Sequence, residues 1–254
     1  MNNLADVSGK RVLVTGASAG IGRQTAITLS ALGAKVTLVG RNEQTLAETL
    51  SLLAGDGNRS YVADLGEIET IEPLVKRMVA SDGAFDGLAH CAGIAYVMPL
   101  PMFQHRILHE MMRVNFYAFF ELVRVLTKRG RFNPGMSIVG VSSTAAVCGS
   151  VAQSGYSASK AAMERAVRSM AKELAEKQIR VNCVRPGLIH TAKYDHWLLA
   201  LGENLAPVEE NLRRQYLGMG EPEDVAALIA FLLSDTAKFI TGAQYSVDGG
   251  VTSC

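Results

Sequence analysis

A tyrosine and a lysine four residues apart, Tyr156 and Lys160, are the side chains best suited to proton transfer in this sequence. Residues at this spacing lie on one face of a helix. A free tyrosine, with a pKa near ~10, is a slow proton relay at neutral pH. Because a nearby ammonium and the positive end of a helix both favour the phenolate, the pattern predicts a lowered pKa for Tyr156. Ser143, at the end of a predicted strand, could hydrogen-bond a reacting oxygen beside Tyr156. Such Tyr/Lys pairs also occur on ordinary helix surfaces.

A glycine-rich turn occupies residues 15–22, which read TGASAGIG and lead directly into a predicted helix. Glycines permit a tight turn and let the backbone approach a pyrophosphate, which the free N–H groups of a helix N-terminus attract. A tight strand-to-helix connection needs the same glycines, so the turn alone leaves both interpretations open. The predicted phosphate-binding residues are Gly16, Ser18, Gly20, Ile21 and Gly22.

The residues that end the second and third predicted strands suggest which dinucleotide would bind. The second strand ends in Gly40-Arg41 without a carboxylate. Arg41, aided by Ser18, could hold a 2′-phosphate, which favours NADP over NAD. Asp64 could accept a hydrogen bond from an adenine amino group, with Leu65 beside the ring. A solvated Arg41 and an exposed turn aspartate are the alternatives.

Apolar runs alternate with segments of helical periodicity, which is typical of βαβ units around a parallel sheet. The predicted fold class is α/β, a single doubly wound Rossmann-like domain spanning residues 1–254 with a seven-stranded parallel sheet flanked by helices. The predicted strands are 11–14, 35–39, 59–62, 85–90, 136–141, 180–184 and 244–247. The predicted helices are 21–32, 42–53, 68–79, 103–127, 156–176 and 222–233, with residues 191–220 irregular.

Composition excludes several other classes of protein. The 254 residues carry a net charge of +1, so no overall field favours nucleic acid or an anionic membrane. No apolar run approaches the ~18 residues that cross a bilayer. The four cysteines lack CxxC spacing, so we expect reduced thiols and a cytoplasmic protein. His105 and His109 are four apart, but no further ligands converge on them, and no metal site is expected.

Together these motifs resemble the short-chain dehydrogenase/reductase family, in their order and spacing, from Lys10 to Gly250. Beyond the turn at 15–22 and the Tyr/Lys pair, the matching positions are Asp64, the Cys-Ala-Gly of residues 91–93, Asn115, Ser143 and the Pro-Gly-Leu-Ile-His-Thr of residues 186–191.

The resemblance implies a role for each matching residue. Tyr156 would be the general acid in reduction and the base in oxidation, while Lys160 would lower its pKa and bind the nicotinamide ribose. Ser143 would polarise the substrate carbonyl, and Asn115 would hold a water linking Lys160 to solvent. The remaining cofactor contacts would come from Gly93, Pro186, Gly187, Ile189 and Thr191.

Two departures from the family pattern stand out. Cys91 replaces the usual asparagine of an Asn-Ala-Gly motif, which would remove hydrogen bonds that brace the central sheet. We interpret Cys91 as a buried, inert thiol. Many NADP-preferring members also have a basic residue where this chain has Ala19, so only Arg41 and Ser18 favour the phosphate.

The resulting expectation is an NADP(H)-dependent oxidoreductase that moves hydride between nicotinamide and a carbonyl or alcohol, with a 3-oxoacyl thioester as one candidate substrate. The alternatives are an alcohol, sugar or steroid dehydrogenase working in the oxidative direction, and a non-catalytic cofactor-binding regulator. Residues 192–219 would form a substrate lid with apolar residues that include Trp197, Leu201 and Leu205. An acyl carrier protein could contact the basic cluster Lys128, Arg129 and Arg131, although a solvated helix end is the better interpretation of that cluster. The resemblance also implies a homodimer or homotetramer.

Overall fold

The chain folds as a parallel β-sheet with helices packed on both faces. In this computed structural model the described residues are 4–192, 194, 198–199 and 206–253, with the backbone alone described at 206–208 and 211. Trp197, Leu201, Leu205 and Cys254 lie outside them. Within the described chain the sheet has seven strands, as predicted: β1 Arg11–Thr15, β2 Lys35–Gly40, β3 Arg59–Val62, β4 Phe85–His90, β5 Phe132–Val141, β6 Arg180–Pro186 and β7 Gln244–Val247.

The strand order β3-β2-β1-β4-β5-β6-β7 places a reversal of winding between β1 and β4. All neighbouring strands are parallel, and the register pairs Thr15 with both Val39 and His90. Ligands of such sheets bind outside the carboxyl ends of the strands at the reversal, because the loops on either side diverge there. The predicted doubly wound fold is therefore confirmed, and its strand order puts the ligand crevice at the carboxyl ends of β1 and β4.

The helices have these bounds: α1 Gly20–Ala31, α2 Glu43–Ser51, α3 Ile71–Asp82, α4 His105–Met112, α5 Ala118–Leu126, α6 Ser154–Glu173, α7 Ala206–Arg214 and α8 Pro222–Leu233. Two apolar clusters hold them to the sheet. One joins α3, α5 and α6 to one face, and the other joins α1, α2 and α8 to the opposite face. None of the helices in the described residues is long and apolar enough to span a membrane.

The predicted helix over 103–127 is interrupted by a wider turn. The segment Arg113–Tyr117 between α4 and α5 is π-helical, and the Ala118 amide donates to the Arg113 carbonyl, five residues back. Such turns rotate the side chains within them and are frequent at functional sites. Here the turn contains Asn115, whose side chain is fully buried.

Other boundaries also differ from the predicted ones. The strand predicted at 136–141 begins at Phe132, and the helix predicted at 156–176 begins at Ser154 and ends in a 3₁₀ turn at Ala175–Lys177. Residues 191–220 were predicted to be irregular, but they contain α7. The short polar turns of α7 carry few apolar positions, so hydrophobic periodicity gave no signal for it.

Candidate active site

A cavity of about 630 Å³ opens at the carboxyl ends of the central strands, between the loops after β1, β4, β5 and β6. Its volume lies in the range usual for sites that bind small molecules or cofactors. Of the predicted site residues, Asn115 alone does not line it. The lining residues that were predicted are Gly16, Ser18, Gly20, Ile21, Gly22, Arg41, Asp64, Leu65, Gly93, Ser143, Tyr156, Lys160, Pro186, Gly187, Ile189 and Thr191.

The glycine-rich turn presents bare backbone to this cavity. At Gly22 a Cβ atom would lie 2.2 Å from the Gly16 carbonyl oxygen, so only hydrogen fits there. Gly20 has a φ of +52° and begins α1, whose N-cap Ala19 offers no side-chain cap. The first amides of α1 therefore remain available to an anion, and no acidic residue in the first turn opposes one.

The loop after β6 meets this turn across the cavity. A Cβ on Gly20 would lie 3.2 Å from Thr191 Cγ2, so the two backbones approach closely. Gly187 donates its amide to the Val247 carbonyl at 3.0 Å, which fixes the start of that loop against β7. The cavity is thus closed on two sides by backbone that carries small side chains.

The opposite end of the cavity contains the residues predicted to select the cofactor. Ser18 Oγ is buried without a hydrogen-bond partner in the described structure, and a Cβ on Gly40 would lie 2.4 Å from it. Arg41 is exposed at the rim. Asp64 accepts the Gly66 amide at 2.8 Å, which orients its carboxylate at the edge of the cavity. A buried hydroxyl with no partner in the described chain and a guanidinium that lines the same cavity suit an anionic ligand group.

Arg23 supports this end of the site, and sequence reasoning missed it. Its Nη2 donates to the Ser18 carbonyl at 2.7 Å, and its Nε donates to Thr49 Oγ1 at 3.0 Å. The arginine therefore joins the turn to α2. Its position one residue after the last glycine of the turn was the signal that the sequence offered for it.

Tyr156 lies in the first turn of α6, and Lys160 lies one turn later on the same face. The Lys160 Nζ atom donates to the Val141 carbonyl at 2.7 Å and lies 5.9 Å from the centre of the Tyr156 ring. Ser143 is hydrogen-bonded to the Tyr156 hydroxyl and also accepts the Ala145 amide at 3.2 Å. The structure thus brings the tyrosine, the lysine and the serine together.

The predicted lowering of the Tyr156 pKa is wrong for this structure. Burial raises the pKa of Tyr156 above its usual value, and the Ser143 hydrogen bond opposes that rise only in part. The Lys160 ammonium lies over the face of the ring, 5.9 Å from its centre, and donates to the Val141 carbonyl, while burial of the phenol has the larger effect on its pKa. Tyr156 therefore stays a neutral phenol at neutral pH.

Asn115 is fixed by hydrogen bonds on both sides of its amide. Its Oδ1 atom accepts the Ile94 amide at 2.8 Å, while Nδ2 donates to the Ile94 carbonyl at 2.9 Å and to Ser159 Oγ at 2.8 Å. A Cβ on Gly93 would touch both Asn115 and Lys160 at 3.2 Å. Asn115 thus braces the loop after β4 directly behind the lysine, and its predicted role in holding a water stays a prediction.

Comparison with known proteins agrees with this geometry. A family model described as Enoyl-(Acyl carrier protein) reductase matches residues 16–252. The chain is 32% identical to 3-oxoacyl-acyl-carrier-protein reductase FabG of Thermotoga maritima, over 96% of this chain and 98% of that protein. It is 30% identical to 7alpha-hydroxysteroid dehydrogenase of Escherichia coli K12, over 96% and 94%. A solved dehydrogenase/reductase of Sinorhizobium meliloti 1021 superposes with a TM-score of 0.88 at 32% identity, covering 98% of both chains.

The chain belongs to the short-chain dehydrogenase/reductase family. Members of this family are oxidoreductases that use nicotinamide cofactors on CH–OH and C=O groups, and this chain shares that general activity. The residues present fit such a cofactor, since the glycine turn leaves room for a pyrophosphate and Ser18 Oγ has no hydrogen-bond partner among the described residues.

The cysteine that departs from the family pattern lies beside the glycine turn. A Cβ on Gly22 would lie 3.2 Å from the Cys91 Cβ atom, and burial raises the pKa of the Cys91 thiol to about 12. A thiol with so high a pKa is a poor nucleophile at neutral pH. Cys148 and Cys183 are also free thiols.

Two other polar clusters lie apart from the cavity. Lys128 and Arg131 both donate to Glu72, at 2.8 Å and 3.0 Å, beside the amino end of β5. This basic cluster is therefore largely paired, and it lies at the opposite end of the sheet from the site. In the part of the chain that the structure describes, no group of three or more His, Cys, Asp or Glu could hold a metal ion, and His105 and His109 are exposed on α4.

Proposed function

We propose that this protein is an NADP(H)-dependent reductase of carbonyl compounds in which Tyr156 donates the proton. The observation that carries the proposal is the meeting of Tyr156, Ser143 and Lys160 at one wall of a cavity whose other walls suit a dinucleotide. Bound NADPH would supply the hydride to the carbonyl carbon. The protein's own residues would bind the cofactor, orient the carbonyl substrate and protonate its oxygen.

Tyr156, Ser143 and Lys160 would each have a separate role in the reaction. The hydrogen-bonded hydroxyls of Ser143 and Tyr156 form a pair that a carbonyl oxygen could join. As negative charge develops on that oxygen, Ser143 would stabilise it and Tyr156 would deliver its proton. Lys160, held by the Val141 carbonyl, would bind ribose hydroxyls and favour the phenolate that remains.

The preference for NADP over NAD rests on the adenosine end of the cavity. The 2′-phosphate would accept hydrogen bonds from Ser18 Oγ and the Arg41 guanidinium. Asn42 caps α2 by accepting the Thr45 amide at 3.0 Å, which holds the loop carrying Arg41 in place. No carboxylate ends β2, so nothing there would repel the phosphate.

For the substrate we propose a 3-oxoacyl compound or a related ketone, because the relatives include a 3-oxoacyl-acyl-carrier-protein reductase. The alternative is an alcohol, sugar or steroid dehydrogenase, which the hydroxysteroid dehydrogenase relative and a structural neighbour named as an aldohexose dehydrogenase favour. The basic cluster at Lys128 and Arg131 gives no support to carrier-protein docking, because Glu72 pairs with it far from the cavity. A free small molecule is therefore the proposed substrate form. Since Asn115, Ser143, Tyr156 and Lys160 are all present, a non-catalytic regulator is the weaker proposal.

We further propose that one domain carries both the cofactor and the catalytic residues, with 192–219 as the substrate lid. Leu108, Tyr117 and Phe120 are exposed apolar side chains on the long helix and are suited to contact a second copy in a homodimer or homotetramer. Light scattering at micromolar concentration should give a mass of two or four chains. A monomer would contradict the assembly without affecting the proposed chemistry. A cytoplasmic location stays a prediction from sequence.

Replacing the proton donor tests the proposed reaction. Tyr156→Phe should lower kcat by at least about 100-fold in NADPH-dependent reduction of a ketone panel, since general acid catalysis typically contributes 10²–10⁴-fold. Its NADPH Kd should change little, because the phenol is not the main cofactor contact. Tyr117→Phe, which removes a hydroxyl from an exposed tyrosine, is the matched control. Retained turnover in Tyr156→Phe would refute the assignment.

Replacing the rim arginine tests the cofactor preference. Arg41→Ala should weaken NADPH binding by at least about tenfold and leave NADH binding within twofold, because a charge-assisted hydrogen bond contributes roughly 1.5–3 kcal/mol. Fluorescence titration of both cofactors measures this. Arg129→Ala, at an exposed arginine beyond the other end of the sheet, is the control. Equal losses for both cofactors would remove the basis for NADP.

A further inference from the structure

A buried ion pair lies one helical turn beyond Lys160 on the same face of α6. Glu164 is only 6% exposed, and Arg185 of β6 makes a bidentate ion pair with its carboxylate. Arg185 Nε donates to Oε1 at 2.9 Å and Nη2 donates to Oε2 at 2.7 Å. The Ser142 hydroxyl, from the end of β5, donates to Oε1 at 2.7 Å. We refer to Ser142, Glu164 and Arg185 as the buried trio.

The trio joins three elements immediately behind the reacting groups. Ser142 directly precedes Ser143, and Arg185 directly precedes the Pro186-Gly187 pair that begins the loop at the nicotinamide end. The Ser142 amide donates to the Val184 carbonyl at 2.8 Å, which locks β5 to β6 at the same level. Lys160 bonds the Val141 carbonyl one residue earlier. Two successive turns of α6 thus hold Val141, the last residue of β5, and Ser142, which follows it.

The chemistry of the trio favours a geometric role over a stabilising one. Removing two charges from water offsets most of their attraction, so buried ion pairs often add little net stability and apolar replacements are tolerated. What a planar, two-pronged contact adds is a fixed orientation. A shift of about 1 Å in a reacting group can cost 10²-fold in rate, so such an orientation matters where Ser143 and Lys160 are set.

We propose that Glu164, held by Arg185 and Ser142, is a positioning residue for hydride transfer that fixes the spacing between Ser143, the Tyr156/Lys160 face of α6 and the loop after β6. This inference rests on the proposed function. It predicts that loss of the trio lowers kcat while cofactor binding and folding persist. A purely structural trio would instead lower stability, and activity would return whenever stability returned.

The decisive variant replaces all three polar groups at once. In the triple variant Ser142→Ala/Glu164→Leu/Arg185→Met no buried partner is left without its hydrogen bond, so the fold should survive. We expect melting within a few degrees of the parent, an NADPH Kd within about threefold and a kcat at least about tenfold lower. Faster amide hydrogen exchange at residues 141–146 and 185–189 should accompany the loss. A folded triple variant with the parent's kcat and exchange rates would overturn the proposal.

A second variant keeps the test decisive if the triple variant does not fold. Glu164→Gln preserves volume and can still accept from Ser142, but it removes the charge that Arg185 faces. Glu164→Gln should lower kcat several-fold at constant NADPH Kd. Arg185→Lys retains the positive charge but loses the bidentate contact, so its kcat should lie between those of Glu164→Gln and the parent. A parental kcat in Glu164→Gln would overturn the proposal.

The matched control lies one turn further along α6. Arg168 donates to Gln244 Oε1 at 2.7 Å and 3.0 Å and so also joins α6 to the sheet, but it is exposed and away from the cavity. Arg168→Leu should leave kcat unchanged. Turnover that persists in Tyr156→Phe would refute the proposed function, whereas the exchange rates of the triple variant would still decide the positioning role.

Discussion

The buried histidine at the end of β4 should make the stability of this protein fall in mild acid. His90 is 0% exposed, its Nδ1 lies 3.0 Å from Thr15 Oγ1, and its Nε2 has no hydrogen-bond partner in the described structure. The Phe119 ring packs against it at 5.4 Å. Burial, and secondarily the charge of Lys160, lower the pKa of His90 from 6.5 to about 3.

The sign and size of the effect follow from proton linkage. The unfolded chain binds a proton at this histidine below about pH 6.5, but the folded chain does not do so until about pH 3. The stability that the neutral His90 contributes is therefore fully present above the pKa of the unfolded chain's histidine, and it is lost progressively as the pH falls below that value. Between about pH 7.5 and pH 5 the loss in unfolding free energy is about 2 kcal/mol. For a chain of this size that is about 4 °C in Tm.

The assay compares melting temperatures at the two pH values in the parent and in His90→Asn. Asparagine can place an amide atom near the position of Nδ1 and does not titrate in this range. The variant should lose about 4 °C less than the parent on acidification. His105→Asn, at an exposed histidine, should behave as the parent does. If acidification lowered Tm equally in the parent and in His90→Asn, the argument that His90 is buried in its neutral form would be refuted.

Two further substitutions test the backbone of the site. Gly22→Ala should lower the free energy of unfolding by about 1–3 kcal/mol and weaken NADPH binding, because the added Cβ would lie 2.2 Å from the Gly16 carbonyl oxygen. Unchanged NADPH binding in a titration would contradict the tight turn. Its control is Gly149→Ala, where a Cβ meets nothing within 4 Å. Gln215→Leu should lower the free energy of unfolding by about 1–3 kcal/mol. Gln215 accepts the Leu188 amide and donates to the Leu188 carbonyl, so the substitution would remove the acceptor of that amide, while the carbonyl would still accept the Gly220 amide at 3.1 Å. Limited proteolysis should then cut within residues 188–220 sooner than in the parent, and equal cutting rates would show that Gln215 does not anchor this segment.

The sheet and the outline of the cavity were predictable from sequence because both depend on local signals. Buried strands are recognisable as short apolar runs that end in glycine or small polar residues. Because the strands of such a sheet are parallel, the residues at their carboxyl ends lie at one edge of it. Ser143, Asp64 and Gly187 each lie at the carboxyl end of a predicted strand, and all three line the cavity. The same pattern could not indicate Arg23, whose partners Ser18 and Thr49 come together only in the folded chain.

The direction of the Tyr156 pKa could not be predicted from spacing. Four residues of separation fix a shared helix face but not where the lysine's ammonium ends. In the folded chain Lys160 donates to the Val141 carbonyl with its ammonium over the face of the Tyr156 ring, and the burial that raises the pKa of Tyr156 arises only on folding. The π-helical turn escaped prediction for a related reason, since its extra residue leaves the apolar pattern on either side intact.

That turn has a consequence for how the chain could be altered. A π-helical turn holds one residue more than the α-helical turn it replaces, so deleting one residue from Arg113–Tyr117 should restore even winding without moving the apolar faces of α4 and α5. The deletion would withdraw the Asn115 amide from residues 94 and 159 while sparing the core. The helix thus carries a single removable residue whose loss would separate folding from activity.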